Sequence, residues 1–290
     1  MGVDFGKALA GVTALGAGIA VLAGATGAFE QMQRNTPQLT WSRLLRAAAK
    51  DRPLAIRAET FVQKFPTSSS PVRLICGDEE EYVVKSMHAG RMIVTEQVVG
   101  RLGETCGAPV GLPALIDVPA GLIDAEPEMA HMTPGLAHGS RWIPGCTHGG
   151  FDHMAANRSR FAELALLHGW TLASDHQFIY RNDAPHLVYS VDHGGFFAGS
   201  TGWTAESLRG APAAAPDVQI VANVGLQDED LHEAQDRLAD VDDEGVAYAV
   251  AVPPDEWGMS EDERVALAQY LATRRDTLFG VADDTEEGAA

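Results

Sequence analysis

Apolar and polar residues alternate over short runs early in the chain and then change period. Phe61-Val62-Gln63-Lys64-Phe65 and Val72-Arg73-Leu74-Ile75-Cys76 read as strands flanking the polar run Thr67-Ser68-Ser69-Ser70, and Glu81-Tyr82-Val83-Val84-Lys85 follows a Gly77-Asp78 turn. Over 93–102 the period becomes helical: Ile93, Val94, Val98, Val99 and Leu102 form one stripe, with Glu96 at its margin. Residues 41–49 also read as a helix, and 158–168 place Phe161, Leu164, Ala165 and Leu167 for burial on another. Phe178-Ile179-Tyr180 and Leu187-Val188-Tyr189-Ser190-Val191 are two β-prone runs around a polar turn at 181–185, which predicts an antiparallel hairpin. After a proline-bounded loop at 212–216 come an acidic helix over 226–238 and a last helix through Ala266, Leu267, Tyr270 and Leu271, opened by a Ser260/Glu263 capping box. The expectation is an α+β chain with a small, mostly β lobe followed by a larger helical one.

Composition bounds this picture. A chain of 290 residues with 46% apolar content can build one large domain or two lobes. The formal charge of -19 argues against a nucleic-acid surface, which needs a basic face. That charge is concentrated late: residues 226–290 hold 19 acidic and 4 basic side chains, so -15 lies there and only -4 before it. Acidity is thus a property of the C-terminal surface. Cys76, Cys106 and Cys146 are odd in number and widely spaced, which suits reduced thiols in a cytoplasmic protein, with Cys76 a buried small hydrophobe. Residues 8–29 carry no charge, so a membrane anchor or export signal has to be weighed. The many Gly and Ala residues and the lack of a net positive flank favour a packed or disordered extension instead.

Candidate chemistry lies at the open end of the hairpin. Asp175 precedes one strand and Asp192 follows the other, so the hairpin brings two carboxylates to one side: Asp175 near a reacting hydroxyl, Asp192 on a divalent cation held by hard oxygen ligands. Lys85 ends a strand, and Glu96, eleven residues later on a packing helix, can pair with it and orient it toward nucleotide phosphates. The bland reading of Lys85 is a solvated edge-strand lysine. A rival chemistry comes from His131, His138, Cys146, His148, Asp152 and His153, a mixed N, O and S donor set whose spacing fits no tight zinc pattern.

The succession Tyr82-Val83-Val84-Lys85, Thr95-Glu96-Gln97, Leu115-Ile116-Asp117-Val118-Pro119, His138-Gly139-Ser140-Arg141, Ser174-Asp175-His176, Asp192-His193-Gly194 and Pro254-Asp255-Glu256-Trp257 resembles the HipA-like kinase family over about residues 55–280. The resemblance implies a two-lobed protein-kinase-like fold binding ATP and Mg²⁺. Lys85 then contacts the ATP phosphates and Glu96 holds it; Asp175 is the catalytic aspartate and Asp192 the magnesium ligand ahead of a glycine. The hinge, where adenine inserts, falls at 117–123 with Asp117 beside the nucleotide, and Ser68, Ser69 and Ser70 cap phosphates. The implied division is an extension at 1–35, a small lobe at 36–125, a helical lobe at 126–280 and an acidic tail at 281–290.

The departures sit in one loop. Relatives carry Asn-x-Asp-Arg-His and an Asn three residues on, whereas this chain has Ala173-Ser174-Asp175-His176-Gln177. Either Gln177 replaces the metal-binding asparagine, or that ligand is gone. Three classes follow: an ATP- and Mg-dependent phosphotransferase acting on an unknown protein or small-molecule acceptor, an ATP-binding pseudokinase serving as a regulatory or interaction module, and a metal-binding protein built on the 131–153 histidines.

Overall fold

The computed structural model describes residues 40–238 and 241–279. The apolar run at 8–29 and the acidic tail at 281–290 lie outside them. The chain divides into two units, 1–43 and 44–290. Of the first, only residues 40–43 are described, in helical conformation; the barrel, the small sheet and the helical core all belong to the second. Among the described residues no helix is long and apolar enough to cross a membrane.

Five strands close into a barrel: β1 (Ile56–Lys64), β2 (Val72–Cys76), β3 (Glu81–Lys85), β4 (Pro113–Val118) and β5 (Gly135–Arg141), in the order β1-β2-β3-β5-β4. Neighbours are antiparallel except where β4 returns beside β1, pairing Ile56 with Ile116. Strict alternation puts Val72, Leu74 and Cys76 of β2 and Tyr82 and Val84 of β3 into the core, against Ile116, Val118 and Ala137. The helix Met92–Cys106 is buried nearly all round through Gly103 because it is packed on several sides, against β4, β5 and the helix Asp243–Ala251.

The barrel runs through Arg141, past the lobe boundary expected at 125. Two features hid β5. Its sequence, Gly-Leu-Ala-His-Gly-Ser-Arg, has almost no β-branched or aromatic content, so its conformation is imposed by ladders to β3 and β4 on either side. The segment between β4 and β5 also packs Leu122, Ile123 and Met129 onto the barrel core instead of leaving the lobe.

The second part carries a small sheet, β6 (Cys146–Gly149), β7 (Phe178–Arg181) and β8 (Val188–Ser190), beside a helical core. β7 and β8 are the expected hairpin, with Phe178 opposite Ser190. The central helix Arg158–Thr171 packs on helices Val218–Val224, Asp228–Leu238 and Glu261–Phe279. Helix C-termini leave carbonyls without intrahelical donors. Here Arg274 donates to the carbonyls of Gly169 (2.6 Å) and Trp170 (2.7 Å), and Tyr270 to that of Thr171 (3.2 Å). The cation sits at the negative end of the helix, and the chain leaves from there into 173–177. The Ser260/Glu263 capping box forms as expected, with Ser260 N donating to Glu263 Oε2 (2.9 Å) and Glu263 N to Ser260 Oγ (3.3 Å). Trp257 Nε1 donates to the Leu136 carbonyl (3.0 Å), tying the helical part to β5.

Candidate functional site

Period-2 alternation that sends Tyr82 and Val84 into the barrel sends Val83 and Lys85 the other way, into a cavity between the barrel and the β7–β8 hairpin. β5 faces the same space with His138 and Ser140, which lie opposite Lys85 and Val83 in the ladder. β3 is an interior strand, so Lys85 is no solvated edge lysine: it is 3% exposed. Its Nζ donates to Glu96 Oε1 and, at 2.6 Å, to Asp192 Oδ1. Glu96 Oε2 lies 3.3 Å from His138 Nε2. With the Gln97 amide oriented so that its nitrogen donates to His138 Nδ1 (2.8 Å), the Nε2 proton of His138 faces Glu96.

Burial of so many charges costs several kcal/mol per ion unless each is paired. Burial alone pulls Lys85 down, but the charges of Glu96 and Asp192 outweigh it and hold the ammonium above its ordinary range. Burial pushes Glu96 up, yet Lys85 and the His138 contact win and hold it far below. Asp192 moves the other way: burial and then the Glu96 charge raise it, against Lys85. Glu96 is therefore the permanent anion of the cluster, and Asp192 the carboxylate that gains most from a further cation.

Asp192 is held by backbone geometry. It follows β8 with φ of 59°, a left-handed conformation that aspartate tolerates better than most residues. Val191 N donates to the Gln177 carbonyl (3.0 Å), extending the hairpin by one rung, and Ser190 N donates to the Pro109 carbonyl (2.9 Å). A Cβ on Gly194 would stand 2.9 Å from Met92 Cβ and 3.0 Å from Glu96 Oε1, so only glycine lets this turn approach the helix that carries Glu96.

The 173–177 loop is built differently. Asp175 is exposed and its carboxylate is engaged locally: Oδ1 accepts from His176 N (2.8 Å) and Oδ2 from Gln177 Nε2 (2.8 Å). Gln177 lines the cavity with Asp192; Asp175 joins it through that amide and is not itself in the lining. Ser174 Oγ donates to the Gly195 carbonyl (2.5 Å), fastening this loop to the one after Asp192.

Other expected residues fall elsewhere. Of the 67–70 run only Thr67 reaches the cavity. The carbonyls of Ser69 and Ser70 contact His88 Nε2 (2.9 Å) and His131 Nε2 (2.7 Å), Ser70 Oγ turns back to the Thr67 carbonyl (3.1 Å), and Ser68 is outside the lining. Asp117 is 3.6 Å from Arg57 where β4 meets β1, away from the cavity. The hinge expected at 117–123 is corrected accordingly: the chain crosses between the two sheets after β5, and Trp142 and Ile143 at that crossing line the cavity. The 131–153 donor set is dispersed too. His131 sits by the serine loop, His138 by Glu96, and His153 stacks on His186 with ring centroids 4.3 Å apart. Cys146 is a free thiol in β6, where His148 also lies, and Asp152 accepts from Gly150 N (3.0 Å). Among the described residues the one group with metal-ligand spacing is His168, His176 and Asp217.

Sequence reasoning missed His138 as the second partner of Glu96, and the buried chain of His168, Ser190 and His193. The signal for the first was present, since Leu136, His138 and Ser140 alternate, but glycines mask the strand that makes this alternation meaningful. No spacing rule connects residues of the second set.

No protein-family model matches the sequence, and no curated protein resembles it in sequence. Among solved structures, the Helicobacter pylori proinflammatory kinase CtkA superposes with a TM-score of 0.54 at 11% identity, covering 78% of this chain and 96% of that one. The Golgi casein kinase gives 0.44 at 9% identity, over 81% of this chain and 75% of that one. The same enzyme with Mn/ADP bound gives 0.43 at 10% identity, over 83% and 77%. The first of these likenesses, with the barrel, packed helix and helical part described above, shows a two-lobed protein-kinase-like fold.

Proposed function

We propose that this chain is an ATP- and divalent-metal-dependent phosphotransferase of the HipA-like kinase type. The observation that carries the reading is the buried Lys85 held between Glu96 and Asp192 on the wall of one cavity. Val83, Ile143 and Ile179 offer apolar surface for a base, and Lys85 offers positive charge for phosphates. Asp192 fits a hard cation by its chemistry: it is a carboxylate oxygen donor on the cavity wall, raised first by burial and then by the Glu96 charge beside it. Mg²⁺ there would neutralise phosphate oxygens, with Gln177 as the neighbouring oxygen donor. Lys85 orients the phosphates, Glu96 and His138 keep Lys85 in place, and Asp175 positions the acceptor hydroxyl.

A second reading rests on Asp175. Both of its carboxylate oxygens already accept hydrogen bonds from its own loop, and it lies outside the cavity lining, which suits an ATP-binding pseudokinase. Nucleotide binding with and without Mg²⁺, followed by transfer from labelled ATP to a protein or small-molecule acceptor in wild type, Lys85→Ala and Asp175→Asn, separates the two. Transfer abolished by both substitutions supports the phosphotransferase; Mg-dependent binding without transfer supports the pseudokinase. Absence of nucleotide binding overturns both.

A further inference from the structure

We propose that His168, His176 and Asp217 form a binding site for a first-row divalent transition metal of the zinc class, separate from the nucleotide cavity. One donor atom from each lies within 4.8 Å of the others. They come from three places: the last turn of helix Arg158–Thr171, the 173–177 loop, and the N-cap of helix Val218–Val224. Two histidines and a carboxylate are a donor set that zinc, cobalt and nickel accept.

The second observation is an unused lone pair. His168 is fully buried, and its Nδ1 has no hydrogen-bond partner. Its Nε2 is 3.0 Å from Ser190 Oγ, which is itself 3.0 Å from His193 Nε2. The serine hydroxyl has one proton to give. If it goes to His168, then His168 Nδ1 carries a hydrogen and is a buried donor with no acceptor, which costs about 1–3 kcal/mol. If His168 Nε2–H donates to Ser190 and Ser190 donates to His193, His168 strands no proton and its Nδ1 presents a lone pair. The second arrangement also matches how metal-bound imidazoles are held, by donating the other ring N–H to a fixed acceptor.

The other two donors are poised in the same way. His176 Nε2 is buried and 3.0 Å from Asp217 Oδ1, a contact that a shared ion would replace. Gln219 N (3.0 Å) and Ile220 N (2.9 Å) also meet Asp217 at Oδ1, which leaves Oδ2 for an ion. Tetrahedral zinc with bonds of about 2.0–2.1 Å needs donors roughly 3.3 Å apart, a contraction that His176 and Asp217, with side chains 12% and 10% exposed, can make from the solvent side. Gly169 makes the juxtaposition possible: any Cβ there would collide with the Ala215 carbonyl, two residues before Asp217. The ion would pin the loop that carries Asp175 and Gln177 to the central helix. Its role is to position, not to react.

The site does not depend on the phosphotransferase reading, and its test uses no nucleotide. Chelator-stripped full-length chain is titrated with Zn²⁺ against a chromophoric chelator and with Co²⁺ by its ligand-field spectrum. The expected result is about one ion per chain, a tetrahedral Co²⁺ spectrum, and binding weakened about tenfold or more in Asp217→Asn and in His176→Gln. Asp217→Asn keeps the capping oxygen, so circular dichroism should show it folded. A variant with all three cysteines changed to serine, and Asp192→Asn, should bind as wild type does. No uptake, uptake unchanged in Asp217→Asn and His176→Gln, or uptake lost with the cysteines each overturns the proposal.

Discussion

The cluster around Lys85 and the loop at 173–177 stand on the same cavity but are held by opposite means. Lys85, Glu96 and His138 are all less than 10% exposed, and with Asp192 they come from a strand, a helix, a second strand and the segment after β8. Each constrains the others through charge in a poorly solvated space. Asp175 is instead exposed, and its carboxylate is satisfied within three consecutive residues. The first region cannot be changed without unbalancing buried charge. The second can change its side chains at little cost to the fold.

The sharpest way to break this contrast is Lys85→Ala. It strands two carboxylates in a buried site, and denaturant unfolding should show a loss of about 3–5 kcal/mol, partly restored by adding Glu96→Gln. A smaller loss would mean the cluster is wetter than its exposure indicates. Gly194→Ala acts on the same cluster through sterics. Its Cβ meets Met92 and Glu96, so we expect a loss of about 1–3 kcal/mol by the same measurement.

Acid probes the buried histidines behind both regions. Burial lowers His193 to about 4 and His168 well below its usual range. As pH falls below about 6.5 the unfolded chain takes up protons that the native chain refuses. Stability is therefore full above that pH and declines toward pH 4, by up to about 1.4 kcal/mol per pH unit for each histidine. Thermal melts across this range should show it, and a flat profile would place these rings in contact with water. The smallest stability effect belongs to Asp175→Asn, within about 0.5 kcal/mol, as for an exposed site. If the phosphotransferase reading holds, the same substitution reduces transfer from labelled ATP by about a hundredfold or more. That combination of unchanged stability and lost transfer would make the contrast between the regions complete.

Legibility in the sequence followed the same division. β2 and β3 were readable to the residue because alternation is dense there, and the hairpin and the Ser260 capping box followed from local turn and cap chemistry. β5 was not legible, since a strand of Gly, Ala, His and Ser declares itself only once β3 and β4 flank it. The hinge at 117–123 was what the family resemblance implied, and β5 carries the barrel beyond it. The histidines at 131–153 looked like a group because they are near in sequence, but the fold gathers no three of the described donors of that set around one point. His168, His176 and Asp217 span nearly fifty positions, and what unites them is close packing at Gly169.

By itself the sequence determined the densely patterned elements such as β2 and β3, the helix that carries Glu96 and the two ends of the hairpin. These depend on period and short spacing, which backbone geometry converts directly into faces and neighbours. The tertiary structure alone decided that Asp192 meets Lys85, that His138 backs Glu96, that Asp117 and Ser68 stay outside the cavity, and that His168 keeps an unpaired nitrogen. Each of those depends on which surfaces the closed barrel and the central helix bring together, and burial and buried charge are properties of the packed whole that no window of sequence contains.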